Sequence, residues 1–285
     1  MKSRWLKGIS LIELMVTVSV ISILMSILLP AFGQVRRQAR RLLGMNNQRE
    51  VTHGVILFAM DNDERYPESV ATIGSSWYWN WQEPMMLTGY RARSPRLHRA
   101  MSSYLRGYIE DAGIMYCPNA PREYKYLQQA WDAGEEWDNP ETAPVLDPVS
   151  GTYCFYWNYR GYIEQEQDVF NGPKSSTGGP GQSDLLMSCY FGYDHHRSRG
   201  AYASCEDFAG ACVTEGTLLS SSYWSRQGGP KPEVKLHAAY TDGHVETYSG
   251  KDTVTMRVIW NVETDEPYFA GVGPGNFYLP RKALY

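Results

Sequence analysis

The chain has 285 residues, of which 43% are hydrophobic and 13% aromatic, and a formal charge of −4. A net acidic chain excludes nucleic acid as a general partner, because phosphate backbones select basic surfaces. Its 26 glycines, 16 prolines and 21 tyrosines favour a loop-rich β domain over a helical bundle.

Residues 1–8 form a short basic leader carrying Lys2, Arg4 and Lys7. Without those three cations the remaining chain is at −7. An apolar run follows over residues 9–32, in which Glu13 is the one ionisable side chain. As a helix rising about 1.5 Å per residue it is roughly 36 Å long, enough to cross a bilayer core of about 30 Å. A carboxylate in a spanning helix costs roughly 2.5–3.5 kcal/mol at mid-bilayer and less near the interface. Glu13 therefore needs a partner or a reason. In a simple signal anchor it is a tolerated interfacial charge. In a cleaved secretory signal, Ala31-Phe32-Gly33 is the processing site, but the run is longer than the roughly 7–15 residues of such a segment.

Gly8 followed by Ile9-Ser10-Leu11-Ile12-Glu13-Leu14 resembles the processing signal of type IV prepilins and type II secretion pseudopilins. The resemblance implies that a prepilin peptidase cuts after Gly8 and methylates the new amine of Ile9. It implies that Glu13 answers that amine on a neighbouring subunit, and that Pro30 stands where many members carry a proline that loosens the helix. It also implies the partners: sister pilin or pseudopilin subunits, an inner-membrane assembly platform and the lipid bilayer, with the head in the periplasm or, in a pilus, at the cell surface. Charge leaves orientation open, since Arg36, Arg37, Arg40 and Arg41 follow the span as closely as the leader cations precede it. Those arginines share one helical face that suits lipid phosphates, acidic neighbours or plain solvent.

Helical periodicity continues past Pro30 through Val35, Ala39 and Leu42, then Val51, Val55 and Phe58, and halts near Asp61-Asn62-Asp63. A helix over residues 9–61 is roughly 80 Å long, weakened by up to about 1 kcal/mol at each of Gly33, Gly44 and Gly54. The expected layout is an α+β chain: leader 1–8, membrane and assembly helix 9–32, its continuation 33–62, and a loop-rich antiparallel β head over 63–285. With the family resemblance, this is a pilin-like fold. Asp61-Asn62-Asp63-Glu64-Arg65-Tyr66-Pro67 resembles a stretch of pilin-like proteins of planctomycetes. Asp61 and Asp63 offer hard oxygens to calcium, but no glycine supports a tight ligand loop, and helix termination is the plainer account. No cofactor is expected.

Residues 75–81, SSWYWNW, place Trp77 and Trp79 in an aromatic cluster that covers a sheet, forms a subunit contact or stacks on sugars. Residues 91–99 read as an exposed loop, 102–110 as a short helix, and 113–118 as a strand ended by proline. That last segment, with Cys117-Pro118, also resembles the planctomycete group. Residues 123–137 have helical spacing, and 139–148 read as a proline-punctuated linker. Residues 152–159 read as a strand, 172–183 as a flexible loop, and 185–193 as one strand. The glycines of 172–183 make no phosphate cradle, because no Gly-Lys-Ser/Thr follows.

Asp194-His195-His196 is the most enzyme-like cluster, but its spacing to Cys205 and Cys212 fits no standard zinc pattern, so no metal site is assigned. The five cysteines are Cys117, Cys154, Cys189, Cys205 and Cys212. Cys205 and Cys212 are the nearest pair and are expected to close a small loop. Residues 236–248 form a hairpin turning at Asp242-Gly243, since a tight turn needs the positive φ that glycine accepts. This ending resembles a pilin-associated domain with a histidine, nine residues and then Asp-Gly, although Pro232 stands at the histidine position and His237 is only five before Asp242. Residues 253–262 are expected to be the last strand, with the tail packed over it. The function expected is a non-enzymatic filament subunit, in a pseudopilus or a pilus-like fibre, present as a minor component. A membrane-anchored glycan-binding protein and an anchored hydrolase using His195, His196 or His237 are the alternatives.

Overall fold

Helix α1, Leu11–Asp61, is a single 51-residue element, so the periodicity on both sides of Pro30 belongs to one rod. The computed structural model describes residues 10–70, 84–87, 100–118, 127–134, 151–163, 166–194, 200–203, 235–257, 260–261, 266–267 and 276–284. Ser10 caps the rod and Asn62 ends it. Pro30 removes one backbone donor, yet the helix continues through it rather than breaking. Buried positions occur only in the second half: Gly44, Gln48, Val51, Thr52, Gly54, Val55 and Ala59. Steps of three and four put these on one face. Glycine does more there than weaken the helix. A Cβ on Gly54 would lie 2.8 Å from Ile109 Cγ1, so its absence lets the rod approach the segment after helix α2, Ser102–Leu105.

That face lies on an antiparallel sheet of four strands: β1 (Tyr153–Phe155), β4 (Leu185–Cys189), β7 (Lys235–Tyr240) and β8 (Val245–Ser249), in the order β1-β4-β7-β8. A second antiparallel sheet holds β2 (Arg160–Ile163), β3 (Asp168–Asn171), β5 (Phe191–Asp194), β6 (Gly200–Ala203), β9 (Thr253–Arg257) and β12 (Asn276–Pro280), in the order β3-β2-β9-β12-β5-β6. Strands β10 (Trp260–Asn261) and β11 (Glu266–Pro267) pair with each other. Helix α3, Leu127–Ala133, falls inside the expected 123–137. The chain is α+β.

Four local expectations are corrected. Residues 113–118 contribute to a 3₁₀ turn, Ala112–Met115, capped when Asp111 Oδ1 accepts the Gly113 N–H at 2.7 Å, and not to a strand. Residues 185–193 are two strands, because the chain passes from the first sheet to the second at Tyr190. The tail does not pack over the last strand; it supplies β12, hydrogen-bonded between β9 and β5. Residues 172–183 are not a slack loop. The Tyr66 N–H donates to Lys174 O at 3.0 Å, Ser176 N–H to Glu64 O at 2.9 Å, and Lys174 N–H to Gln182 Oε1 at 3.0 Å. The loop is thereby stitched to the end of α1.

The tyrosine-rich composition is spent in the core. Tyr153, Tyr156, Tyr159, Tyr190 and Tyr278 are buried with Trp157, Phe191 and Phe277. Edge-on ring pairs such as Tyr190–Phe277 at 5.4 Å and Tyr156–Phe170 at 5.6 Å let large rings fill space without facing each other's negative π-surfaces. Two buried hydroxyls bond across elements: Tyr153 donates to Gly44 O at 3.2 Å, tying sheet to rod, and Tyr156 bonds Ser188 Oγ at 3.1 Å.

Candidate functional site: the free half of the long helix and its junction with the head

From Leu11 to Ala39 every residue of the rod is exposed. Leu11, Ile12, Met15, Ile23, Ile27, Leu29 and Phe32 are each at least 60% exposed. An 18-residue window of this helix has a mean hydropathy of 2.4, and it is the one helix among the described residues long and apolar enough to cross a membrane. Its polar side chains are turned inward on the helix itself. Thr17, Ser19, Ser22 and Ser26 donate to Leu14 O, Met15 O, Val18 O and Ile23 O at 2.7–2.8 Å. Each hydroxyl thus keeps a hydrogen bond within the helix itself, as an apolar surrounding would require.

Glu13 has a local task. The Ser10 N–H donates to its Oε2 at 2.9 Å, and its own N–H donates to Ser10 Oγ at 3.2 Å. This reciprocal capping box satisfies two of the donors a helix start leaves open. The Ser-x-x-Glu spacing of residues 10–13 is the capping-box signal in the sequence, separate from any charge partner. Gly8 and Ile9 lie outside the described residues. So do Trp77, Trp79, His195, His196, Cys205 and Cys212.

At the other end of the rod, Asp61 Oδ2 accepts the Tyr108 hydroxyl at 2.8 Å, while Asp63 and Glu64 take φ of 52° and 62°. This left-handed pair ends the helix and hands the chain to the 172–183 loop. Among the described residues no three metal-ligating side chains converge, so calcium gains no support at Asp61 and Asp63.

The junction of rod and first sheet holds a buried polar cluster. Gln48 Nε2 donates to His237 O at 3.3 Å and contacts Cys189 Sγ at 3.2 Å. His237 is 2% exposed and shares a hydrogen bond of 3.0 Å between its Nδ1 and Thr247 Oγ1. Burial, aided by the Arg41 cation, pushes its pKa down to about 4 from the ordinary 6.5. A neutral imidazole sealed under a helix cannot meet a substrate, which removes it from the hydrolase alternative. It does make stability depend on pH. Between about 6.5 and 4 the unfolded chain binds a proton that the folded chain refuses, so stability present above 6.5 is lost as pH falls through that window. The loss amounts to about 3 kcal/mol at most. Thermal melts of the wild type therefore drop between pH 7 and pH 4.5, and His237→Asn shows a visibly flatter profile over the same range.

Asp242 and Gly243 occupy the turn between β7 and β8, with Gly243 at φ 84°. Asp242 Oδ1 accepts the His244 N–H at 3.0 Å, and this hydrogen bond, with the adjacent His244 ring, holds the carboxyl below its usual range. Nearby, Tyr240 donates to Glu246 Oε1 at 2.6 Å and Lys282 Nζ sits 2.8 Å from Glu246 Oε2. The Asp-Gly pair is accounted for by the hairpin, and its polar neighbours satisfy one another.

The expected Cys205–Cys212 loop lies outside the described residues. Cys189 is disulfide-bonded, while Cys117 and Cys154 are free and buried. A non-reducing peptide map shows the Cys189 peptide crosslinked, and Cys117 and Cys154 alkylate only after unfolding.

Compared with protein-family models, curated proteins and solved structures, the chain has no match.

Proposed function

We propose that the chain is a pilin-like structural subunit, cut after Gly8, methylated at Ile9 and assembled through α1 into a pseudopilus or pilus-like filament. Its bulky head suits a minor component better than a densely repeated one. The observation that carries the reading is the division of α1: an apolar half bare of the head, and a second half buried against it. A rod of that kind needs lipid or sister helices to cover it, and exchanging one for the other is filament assembly. In this reading Glu13, near the rod's start, meets a newly made ammonium on the next subunit. Anchorage in the inner membrane with the head in the periplasm belongs to the same reading.

The test is the N-terminus of protein extracted from its host's membranes. Sequencing and intact mass then find a chain starting at Ile9 and carrying one added methyl group. A chain that retains Met1, or begins at Gln34, overturns the proposal.

A further inference from the structure

We infer that Arg36, Arg37 and Arg40 form a collar that binds the phosphate headgroups of anionic phospholipids in the leaflet from which α1 emerges. The inference rests on the membrane-spanning part of the proposed function but not on filament assembly. Three observations carry it. The first is position: Arg36 and Arg40 follow Phe32, the end of the apolar run, by four and eight residues. On a helix that is about 6 Å and 12 Å, and the headgroup layer occupies roughly 5–8 Å on each side of the hydrocarbon core. The second is direction. Cα–Cβ bonds of a helix tilt toward its N-terminus, which here is the membrane side, so long side chains at these positions lean back toward the bilayer.

The third is charge. Between Glu13 and Glu50 the helix holds no acidic residue, and Arg36, Arg37 and Arg40 have no acidic partner among the described residues. Arg36 and Arg37 are exposed and Arg40 is half-buried. A guanidinium fork fits phosphate oxygens two at a time, which an uncharged or purely zwitterionic surface rewards less. Arg41 is not part of the collar, because it is drawn to the junction with the head, where its charge acts on His237. Arg49 is excluded by distance, about 25 Å beyond Phe32 along the helix.

The experiment reconstitutes the full chain in phosphatidylcholine vesicles containing trace spin-labelled phosphatidylglycerol or spin-labelled phosphatidylcholine. The motionally restricted fraction of each probe reports the lipid held against the protein. The expected result is a preference of roughly threefold or more for phosphatidylglycerol, reduced by high salt. That preference is lost in R36Q/R37Q/R40Q and kept in R49Q. Equal restriction of both probes by the wild type overturns the collar, as does a triple variant that keeps the preference. If the triple variant keeps the preference but loses filament assembly, the arginines serve an acidic neighbouring subunit instead, and the collar is again overturned. Absence of any restricted component, with protein that does not float with vesicles, sinks the membrane span itself and is readily told apart from these outcomes.

Discussion

On the proposed filament function, Glu13→Gln is expected to insert into the membrane as the wild type does and to keep α1 intact, yet to lose most of its filament. The capping box accepts glutamine in place of glutamate, because the side-chain carbonyl still receives the Ser10 N–H. The substitution thus keeps the local hydrogen bond and removes only the charge. If Glu13 serves to meet an ammonium on the next subunit, losing the charge removes the assembly contact, and sheared filament falls at least about tenfold, the effect of roughly 1.4 kcal/mol. Glu13→Ala loses the charge and the acceptor for the Ser10 N–H, while Ser10 Oγ still caps the residue-13 N–H, so the helix start weakens by about 0.5–1.5 kcal/mol. Carbonate-resistant membrane protein and filament yield, measured for both variants, separate the two roles. A Glu13→Gln chain that assembles normally, beside a Glu13→Ala chain that does not, assigns the residue to capping and removes it from assembly.

Gly172→Ala unfolds the head by more than any surface change. A Cβ at this position would sit 1.6 Å from Tyr156 O and 2.7 Å from Tyr156 C, which are backbone atoms with no rotamer to retreat into. The Gly172 N–H also donates to Tyr159 O at 2.9 Å, and the next residues bond the end of α1 through Lys174 and Ser176. Accommodating the methyl group means moving either the buried Tyr156 ring or the stitching of the loop to the rod. A cost of about 3 kcal/mol follows, or a melting temperature lower by roughly 6–12 °C for a domain of this size. Near-UV circular dichroism of the detergent-solubilised chain reads it through the buried aromatics. Gly107→Ala, where the added carbon meets nothing within 4 Å, shifts the melt by less than about 2 °C. Equal melts for the two variants contradict the packing described at Gly172.

What could be read in advance divides along the range of the forces involved. The end of α1 at Asp61 and the turn at Asp242-Gly243 were legible because helix periodicity and positive φ are local properties. Residues 113–118 misled because a short apolar run carries no period to tell strand from turn; the Asp111 side chain decides it by capping a 3₁₀ start. The change of sheet at Tyr190 was hidden in one continuous apolar stretch. Gln48 meets Cys189 and His237 across 141 and 189 residues of chain, and no spacing rule reaches that far. At the candidate site, Glu13 stands out in the sequence as a lone charge in an apolar run, while its local partner Ser10 is one serine among several and is singled out by the contact itself.

The place of β12 bears on how the molecule is made. Until residues 276–280 have left the ribosome, β3-β2-β9 and β5-β6 are two fragments, each with an unpaired edge, and nothing bridges them. Such edges invite pairing with other chains. Translation therefore delivers the keystone of the larger sheet after every other described strand of that sheet, and the nascent head passes its most aggregation-prone interval before β12 is in place.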